Sequence, residues 1–339
     1  MPAEWEPHAA TWLGWPHELT DWPGKFAPIP WAFAEIVRHL SRVERVYLLV
    51  ENKEAESRVR TILKKSGANL AAVDFFRIPT DRGWMRDSGP ICVTNSPGEV
   101  AYTHWRFNGW AKYENNKRDA IVVSAANKKL KRRVWQPEHK GRRVVLEGGS
   151  IDVNGRGTLL TTEECLLSKT QERNPGFTRE DYAQVFKTHL GITNVLWLKN
   201  GIAGDDTHGH IDDLARFVDP TTVVTVVEDN SNDANYAALQ ENLALLKNMK
   251  DQDGHPLRVE TLPMPAPVYF DGQRLPASYA NFYIANKIVI VPTFNDSNDQ
   301  VALNTLAKLF TDREIIGIAC RDLVLGLGTL HCMTQQQPI

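Results

Sequence analysis

Lys287–Ala319 reads KIVIVPTFNDSNDQVALNTLAKLFTDREIIGIA, which predicts a strand over Lys287–Pro292, a helix over Ser297–Phe310 and a strand over Glu314–Ala319. Ser297 and Gln300 stand at the spacing of a capping box, in which each side chain satisfies an orphan amide of the first helical turn. The same order is expected at Thr221–Glu228, Ala234–Met249 and Leu257–Leu262. Near the start, Phe33, Ile36, Val37 and Leu40 recur at i, i+3, i+4, i+7 and predict a helix over Trp31–Leu40. Arg45–Val50 reads as a buried strand, Glu54–Lys65 as a helix stopped before Gly67, and Val73–Ile78 as another strand. Self-similar units of about 60–70 residues imply a repeat architecture. Periodicity alone leaves a doubly wound sheet and a propeller of mixed blades as alternatives for this α/β chain, read as one compact body.

Bulk composition narrows the function. At 42% hydrophobic and 24% charged residues, the chain has the profile of a soluble globular protein. A formal net charge of −2 provides no excess to neutralise phosphates, which argues against nucleic acid as a partner. The basic run Lys128–Arg133 has no interleaved aromatics and reads as a solvated face. No apolar run approaches the ~20 residues needed to span a bilayer. The first residues lack the basic and apolar regions of a signal peptide. Cys92, Cys165, Cys320 and Cys332 are irregularly spaced, which suits neither a disulfide scaffold nor a zinc ribbon and fits a reduced, cytoplasmic setting.

Four stretches carry chemistry. Asp81–Pro90 packs acids, arginines and Trp84 between glycines; it is either an exposed turn of weak ion pairs or a seat for a cation. Glu147-Gly148-Gly149-Ser150 reads alone as a β-turn, yet its glycines also permit close approach of a ligand. Asp205–Asp213 holds His208, His210 and Asp212. In an extended segment His210 and Asp212 share a face. His208 and His210 suit a divalent metal; alternatively, His210 acts as general acid and base beside Asp212. Last, Cys332 follows Gly326-Leu327-Gly328 and His331 in a polar loop, unlike the other three cysteines, whose settings are apolar. A thiol of ordinary pKa, about 8.5, needs a nearby cation to become a good nucleophile; His210 or a cationic substrate would supply one.

In this order the four stretches resemble the agmatine deiminase family, which includes bacterial peptidylarginine deiminases. Pro2–His8, Thr11–Pro16, Ser278–Tyr283 and His331–Gln336 match as well, so the likeness covers nearly the whole chain. It implies the pentein fold, a five-bladed pseudo-symmetric α/β propeller of ββαβ-type units around a central active site, with residues 1–339 as one catalytic domain. It also implies chemistry without metal or cofactor. Cys332 would attack the guanidinium carbon, Asp87 and Asp212 would hold its nitrogens, and His210 would serve both proton transfers. Trp84 would pack on the substrate, Glu147 would orient His210, and Gly148 and Gly149 would form the turn against which the substrate lies. The implied reaction converts agmatine to N-carbamoylputrescine and ammonia, in a cytoplasmic homodimer serving putrescine biosynthesis. Peptidyl-arginine is the rival substrate; a metal-dependent hydrolase and a non-catalytic binding protein are the remoter alternatives. Two positions depart from the family pattern. Leu327 replaces a usual third glycine, and His208 stands where a smaller polar residue, often Asn, is expected.

Overall fold

The computed structural model describes residues 1–95 and 98–339. In the first sheet, β1 (His8–Gly14), β2 (Arg45–Val50) and β3 (Val73–Arg77) run parallel, joined by α1 (Ile29–Leu40) and α2 (Lys53–Ser66). A single turn, α3 (Met85–Ser88), leads to β4 (Ile91–Thr94), which pairs antiparallel with β5 (Val100–Thr103); α4 (Val122–Leu130) then delivers β6 (Arg133–Trp135) parallel to β5. After a small hairpin of β7 (Glu138–His139) and β8 (Arg142–Arg143), the order repeats. The third sheet has β9 (Asp152–Val153), β10 (Thr158–Thr162), α5 (Glu163–Leu167), α6 (Arg179–Leu190) and β11 (Asn194–Leu198). The fourth has β12 (Ala215–Phe217), β13 (Thr222–Val227), α7 (Tyr236–Leu246) and β14 (Arg258–Pro263). A hairpin of β15 (Tyr269–Phe270) and β16 (Gln273–Arg274) precedes the fifth, with β17 (Tyr283–Ile284), β18 (Ile288–Thr293), α8 (Asp299–Leu309) and β19 (Glu314–Ala319). Finally α9 (Leu330–Met333) leads into β20 (Thr334–Pro338), which pairs antiparallel with β1 and gives the first sheet the leading strand the others have.

Local chemistry accounts for the elements. In α2 the Asn52 side chain caps the Ala55 amide, Ala55, Val59 and Leu63 face inward, and Gly67 ends the helix at φ +80°. A capping box does occur, but at α6, between Thr178 and Asp181. The one expected at Ser297 and Gln300 is absent. Helix α8 begins after Asn298, and the Asp299 carboxylate instead accepts from the Phe294 and Asp296 amides. The approach to the helix is ordered by these bonds and by the Asp296 carboxylate, which accepts from Asn298 N at 2.8 Å, and Ser297 stands before the cap position. Among the described residues no helix is long and apolar enough to cross a membrane.

The repetition has a functional consequence. Each sheet's leading strand follows a tight turn: Trp84–Gly89 before β4, Glu147–Ile151 before β9, His210–Leu214 before β12, Ser278–Phe282 before β17 and Thr329–Met333 before β20. α3 packs against α9 and against the turn at Gly148–Ser150, which in turn packs against the turn at Ile211–Asp213. The chemistry-bearing stretches, distant in sequence, therefore converge because they occupy one position in a repeated unit.

Candidate active site

A cavity of about 600 Å³ opens over these turns. Trp84, Trp110, Tyr113 and Phe270 form aromatic walls, and Asp87 and Cys332 also line it. Trp84 stacks on Trp22 at 5.7 Å between ring centroids and donates from Nε1 to Asp21 Oδ2 at 3.1 Å, so its ring is fixed from behind.

The four residues singled out as catalytic do meet. His210 Nδ1 lies 3.9 Å from both Asp87 Oδ1 and Asp212 Oδ1, and Cys332 Sγ lies 3.6 Å from Asp212 Oδ2. His210 and Asp212 have 0% exposure, and Asp87 has 6%. Two features differ from the sequence reading. His210 and Asp212 do not lie in an extended segment: His210 opens a tight 3-10 turn, Ile211–Asp213, which leaves Asp212 Oδ1 3.9 Å from His210 Nδ1. Cys332 is not in an open polar loop either. It sits within the turn α9, is 6% exposed and lines the cavity.

The glycine pair has a steric reason. A Cβ on Gly149 would stand 2.5 Å from His210 Nδ1 and 2.9 Å from Asp87 Oδ1, and one on Gly148 would stand 2.2 Å from the Arg86 carbonyl oxygen. Gly149 N also donates to Asp87 Oδ1 at 3.0 Å. Glu147 stands beside His210 without bonding to it. Its Oε1 accepts from Arg173 Nε at 3.0 Å, while its Oε2 and both nitrogens of His210 are buried without partners. Cys165, whose setting reads as apolar in the sequence, is the third member of this group; one ligand-type atom from each of Glu147, Cys165 and His210 lies within 4.8 Å of the others.

His208 does not join His210 at a metal. Its Nε2 lies 3.1 Å from Ser168 Oγ and its Nδ1 3.6 Å from Glu164, and none of the compact groups of ligating atoms among the described residues includes it. Its backbone is left-handed, φ +65°, which explains why Asn suits that position. Leu327 likewise takes φ +68°. The loop keeps the shape a glycine would give it, with the strain borne by the leucine.

Sequence reasoning missed several groups. Asn281 Nδ2 donates to Cys332 Sγ at 3.1 Å and to Asp213 Oδ1 at 3.0 Å. Its place in the fifth turn was the available signal, since each of the other four turns supplies a residue to the site. Trp110 Nε1 donates to Asp87 Oδ2 at 2.8 Å. It comes from a loop in which Gly109, Trp110 and Ala111 all have positive φ, a strain that no motif announces.

Electrostatics set the resting state. Burial pushes Asp87 up to about 6, with His210 pulling down and Asp212 and Glu147 pushing up. Burial alone would lower His210, but Asp87, Cys165 and Asp212 overcome it and hold the imidazole well above its usual range. Burial, then Asp212, Asp213 and Asp87, push the Cys332 thiol well up despite the Asn281 hydrogen bond. Burial also opposes ionisation of Asp212, yet His331, His210 and Arg216 hold it below the usual carboxylate range. These shifts favour the protonated form of both the Cys332 thiol and the His210 imidazole, beside carboxylates.

This architecture is that of the penteins: an amidinotransferase from Microseira wollei superposes with a TM-score of 0.50 at 12% identity, covering 99% of this chain and 96% of its own, a likeness of fold alone. Residues 1–338 match the Porphyromonas-type peptidyl-arginine deiminase family, and the chain belongs to it. It is 34% identical to an agmatine deiminase of Ectopseudomonas mendocina and 35% to one of Pseudomonas putida, each alignment covering 100% of this chain and 95% of the relative. An agmatine deiminase of Enterococcus faecalis superposes with a TM-score of 0.91 at 31% identity, covering 100% of this chain and 95% of its own. A substrate-bound agmatine deiminase of C. jejuni, in which a serine replaces one cysteine, superposes at 0.87 and 32%, covering 99% and 95%.

Proposed function

We propose that this protein is a hydrolase that converts agmatine to N-carbamoylputrescine and ammonia, with Cys332 as nucleophile. The observation that carries this reading is the pair of buried carboxylates, Asp87 and Asp212, each 3.9 Å from one His210 nitrogen, beside a thiol at 3.6 Å. Each carboxylate about 4 Å from a guanidinium contributes roughly 4 kcal/mol of attraction, before desolvation, at an effective dielectric near 20. A neutral urea loses that attraction and leaves.

The resting thiol suggests how the cation triggers its own reaction. The carboxylates that hold Cys332 protonated are offset when a guanidinium enters, and the thiol proton passes to cavity water. The thiolate attacks the guanidinium carbon, and imidazolium His210 gives its proton to the departing nitrogen, which leaves as ammonia. A thiouronium then links substrate to Cys332. Neutral His210 takes a proton from the attacking water, collapse expels the thiolate, and the last carbonyl proton goes to the solvent that protonates the ammonia. Asn281 positions the sulfur, and Trp84 and Trp110 wall the flat cation.

The distal end favours a free ammonium. Of the other cavity carboxylates, Asp21 is bound by Arg82, and Asp206 by Lys112 and by the Tyr113 hydroxyl at 2.7 Å. Asp271, at the tip of the β15–β16 hairpin, has no ion-pair partner among the described residues and faces the same cavity. We infer further that residues 1–339 form one catalytic domain, that its five sheets close as propeller blades around this cavity, and that the enzyme is a cytoplasmic homodimer. The test is ammonia release from agmatine, free arginine and an arginine-containing peptide. Turnover of agmatine alone supports the assignment; preference for the peptide would replace it with protein citrullination.

A further inference from the structure

Behind Asp212 lies a buried charge cluster that reaches the start of the chain. His331 Nδ1 lies 2.6 Å from Asp212 Oδ2, and His331 Nε2 lies 2.8 Å from Glu4 Oε2. Glu4 Oε2 also accepts from Arg86 Nη2 at 2.9 Å, and Glu4 Oε1 from Arg216 Nη2 at 2.8 Å and Ile284 N at 2.9 Å. Arg216 in turn binds Asp152. These side chains are all buried. Glu4 is presented by a turn in which Glu6 N donates to Ala3 O at 3.2 Å, and Ala3 packs against Gly155 so closely that a Cβ there would meet it at 3.1 Å.

The chemistry of this chain is directional. An imidazole with a carboxylate oxygen at each nitrogen satisfies both only when both nitrogens carry hydrogen. A ring held from one side by Glu4 thus becomes a fixed donor to Asp212 on the other. That contact occupies Asp212 Oδ2 and leaves Oδ1, which has no partner of its own, turned toward His210. We propose that Glu4, acting through His331, is a positioning residue that holds Asp212 aimed at the substrate. Glu4 touches no reacting atom. The inference rests on the reading of Asp212 as a guanidinium acceptor.

The competing account is that the cluster only stabilises the fold. Buried charges left unpaired are strongly destabilising, so any loss of activity must be separated from loss of folding. His331→Gln keeps a hydrogen-bond donor and removes the ring that bridges Asp212 and Glu4. Asp152→Asn perturbs the same cluster without touching His331.

The experiment measures kcat, KM and the pH profile of kcat/KM for agmatine in the full-length wild type, His331→Gln, Glu4→Gln, the double variant and Asp152→Asn, with thermal unfolding of each. Methylguanidinium binding to Cys332→Ser is measured alongside by calorimetry. The expected loss in kcat/KM is about 10- to 100-fold for His331→Gln, from misplacement of one carboxylate. Its acid limb steepens and moves to higher pH, because Asp212 now titrates with Asp87. Glu4→Gln lowers kcat/KM as well, and the double variant is no worse than His331→Gln alone. Asp152→Asn keeps the wild-type profile even where its unfolding midpoint falls. An acid limb of wild-type position and slope in His331→Gln, or additive losses in the double variant, would overturn the proposal while leaving agmatine hydrolysis intact. Absence of both agmatine turnover by the wild type and methylguanidinium binding would overturn the parent reading and this inference together.

Discussion

Gly149→Ala adds one methyl group and alters no ionisable residue, yet the geometry predicts severe damage to catalysis. Gly149 does not lie in the left-handed region, so its backbone accepts alanine. The new Cβ would stand 2.5 Å from His210 Nδ1, 3.0 Å from His210 Cε1 and 2.9 Å from Asp87 Oδ1. Ordinary contact needs about 3.5 Å, so the ring must retreat by about 1 Å and the carboxylate by about half that. Displacement on that scale costs about 10²-fold in rate, or about 2.7 kcal/mol of barrier. The overpacking itself costs the fold about 1–3 kcal/mol. Steady-state ammonia release from agmatine, with circular dichroism to verify folding, measures both. The expected result is a kcat lowered about 100-fold, with KM raised less because Asp87 keeps its charge and the Trp110 hydrogen bond. A folded Gly149→Ala enzyme with kcat within about threefold of wild type would refute the packing of His210 against this turn.

Two further outcomes follow from the same site. With burial holding Asp87 at about 6, protonation below that pH removes one guanidinium acceptor. The kcat/KM of the wild type should therefore fall about tenfold per pH unit on the acid side of that value, and a flat profile down to pH 4.5 would contradict it. At Leu327, φ +68° is costly for a leucine and more so for a β-branched side chain. Leu327→Val should lower unfolding free energy by about 1–2 kcal/mol in denaturant titration while Leu327→Gly folds normally, and equal stability of the two variants would count against the left-handed turn.

Much of this was legible in the sequence, and the gaps have physical causes. Arg45–Val50 and Glu314–Ala319 are strands over those same residues, because uninterrupted apolar runs bounded by turns leave little alternative. Asp87, His210, Asp212 and Cys332 were recognisable because each sits in a dense polar motif. Asn281 lies in the matching stretch Ser278–Tyr283, but a lone asparagine among apolar residues carries no local signal; only the register of the fifth turn singles it out. Trp110 depends on a strained loop, and Glu4 and His331 on packing between residues at opposite ends of the chain. The Ser297 capping box fails for another reason: the pattern is present, but the Asp296 and Asp299 carboxylates order the turn before the helix, which starts one residue later, after Asn298.

The central claim is a covalent bond between Cys332 and the substrate's guanidinium carbon. Acid-quenching the enzyme during agmatine turnover, followed by peptide mass spectrometry, tests it most directly. The account predicts an adduct with the mass of agmatine less ammonia on the peptide containing Cys332, absent in Cys332→Ser, which also releases no ammonia. Ammonia release by Cys332→Ser at a near-normal rate, or an adduct on Cys165 instead, would contradict it.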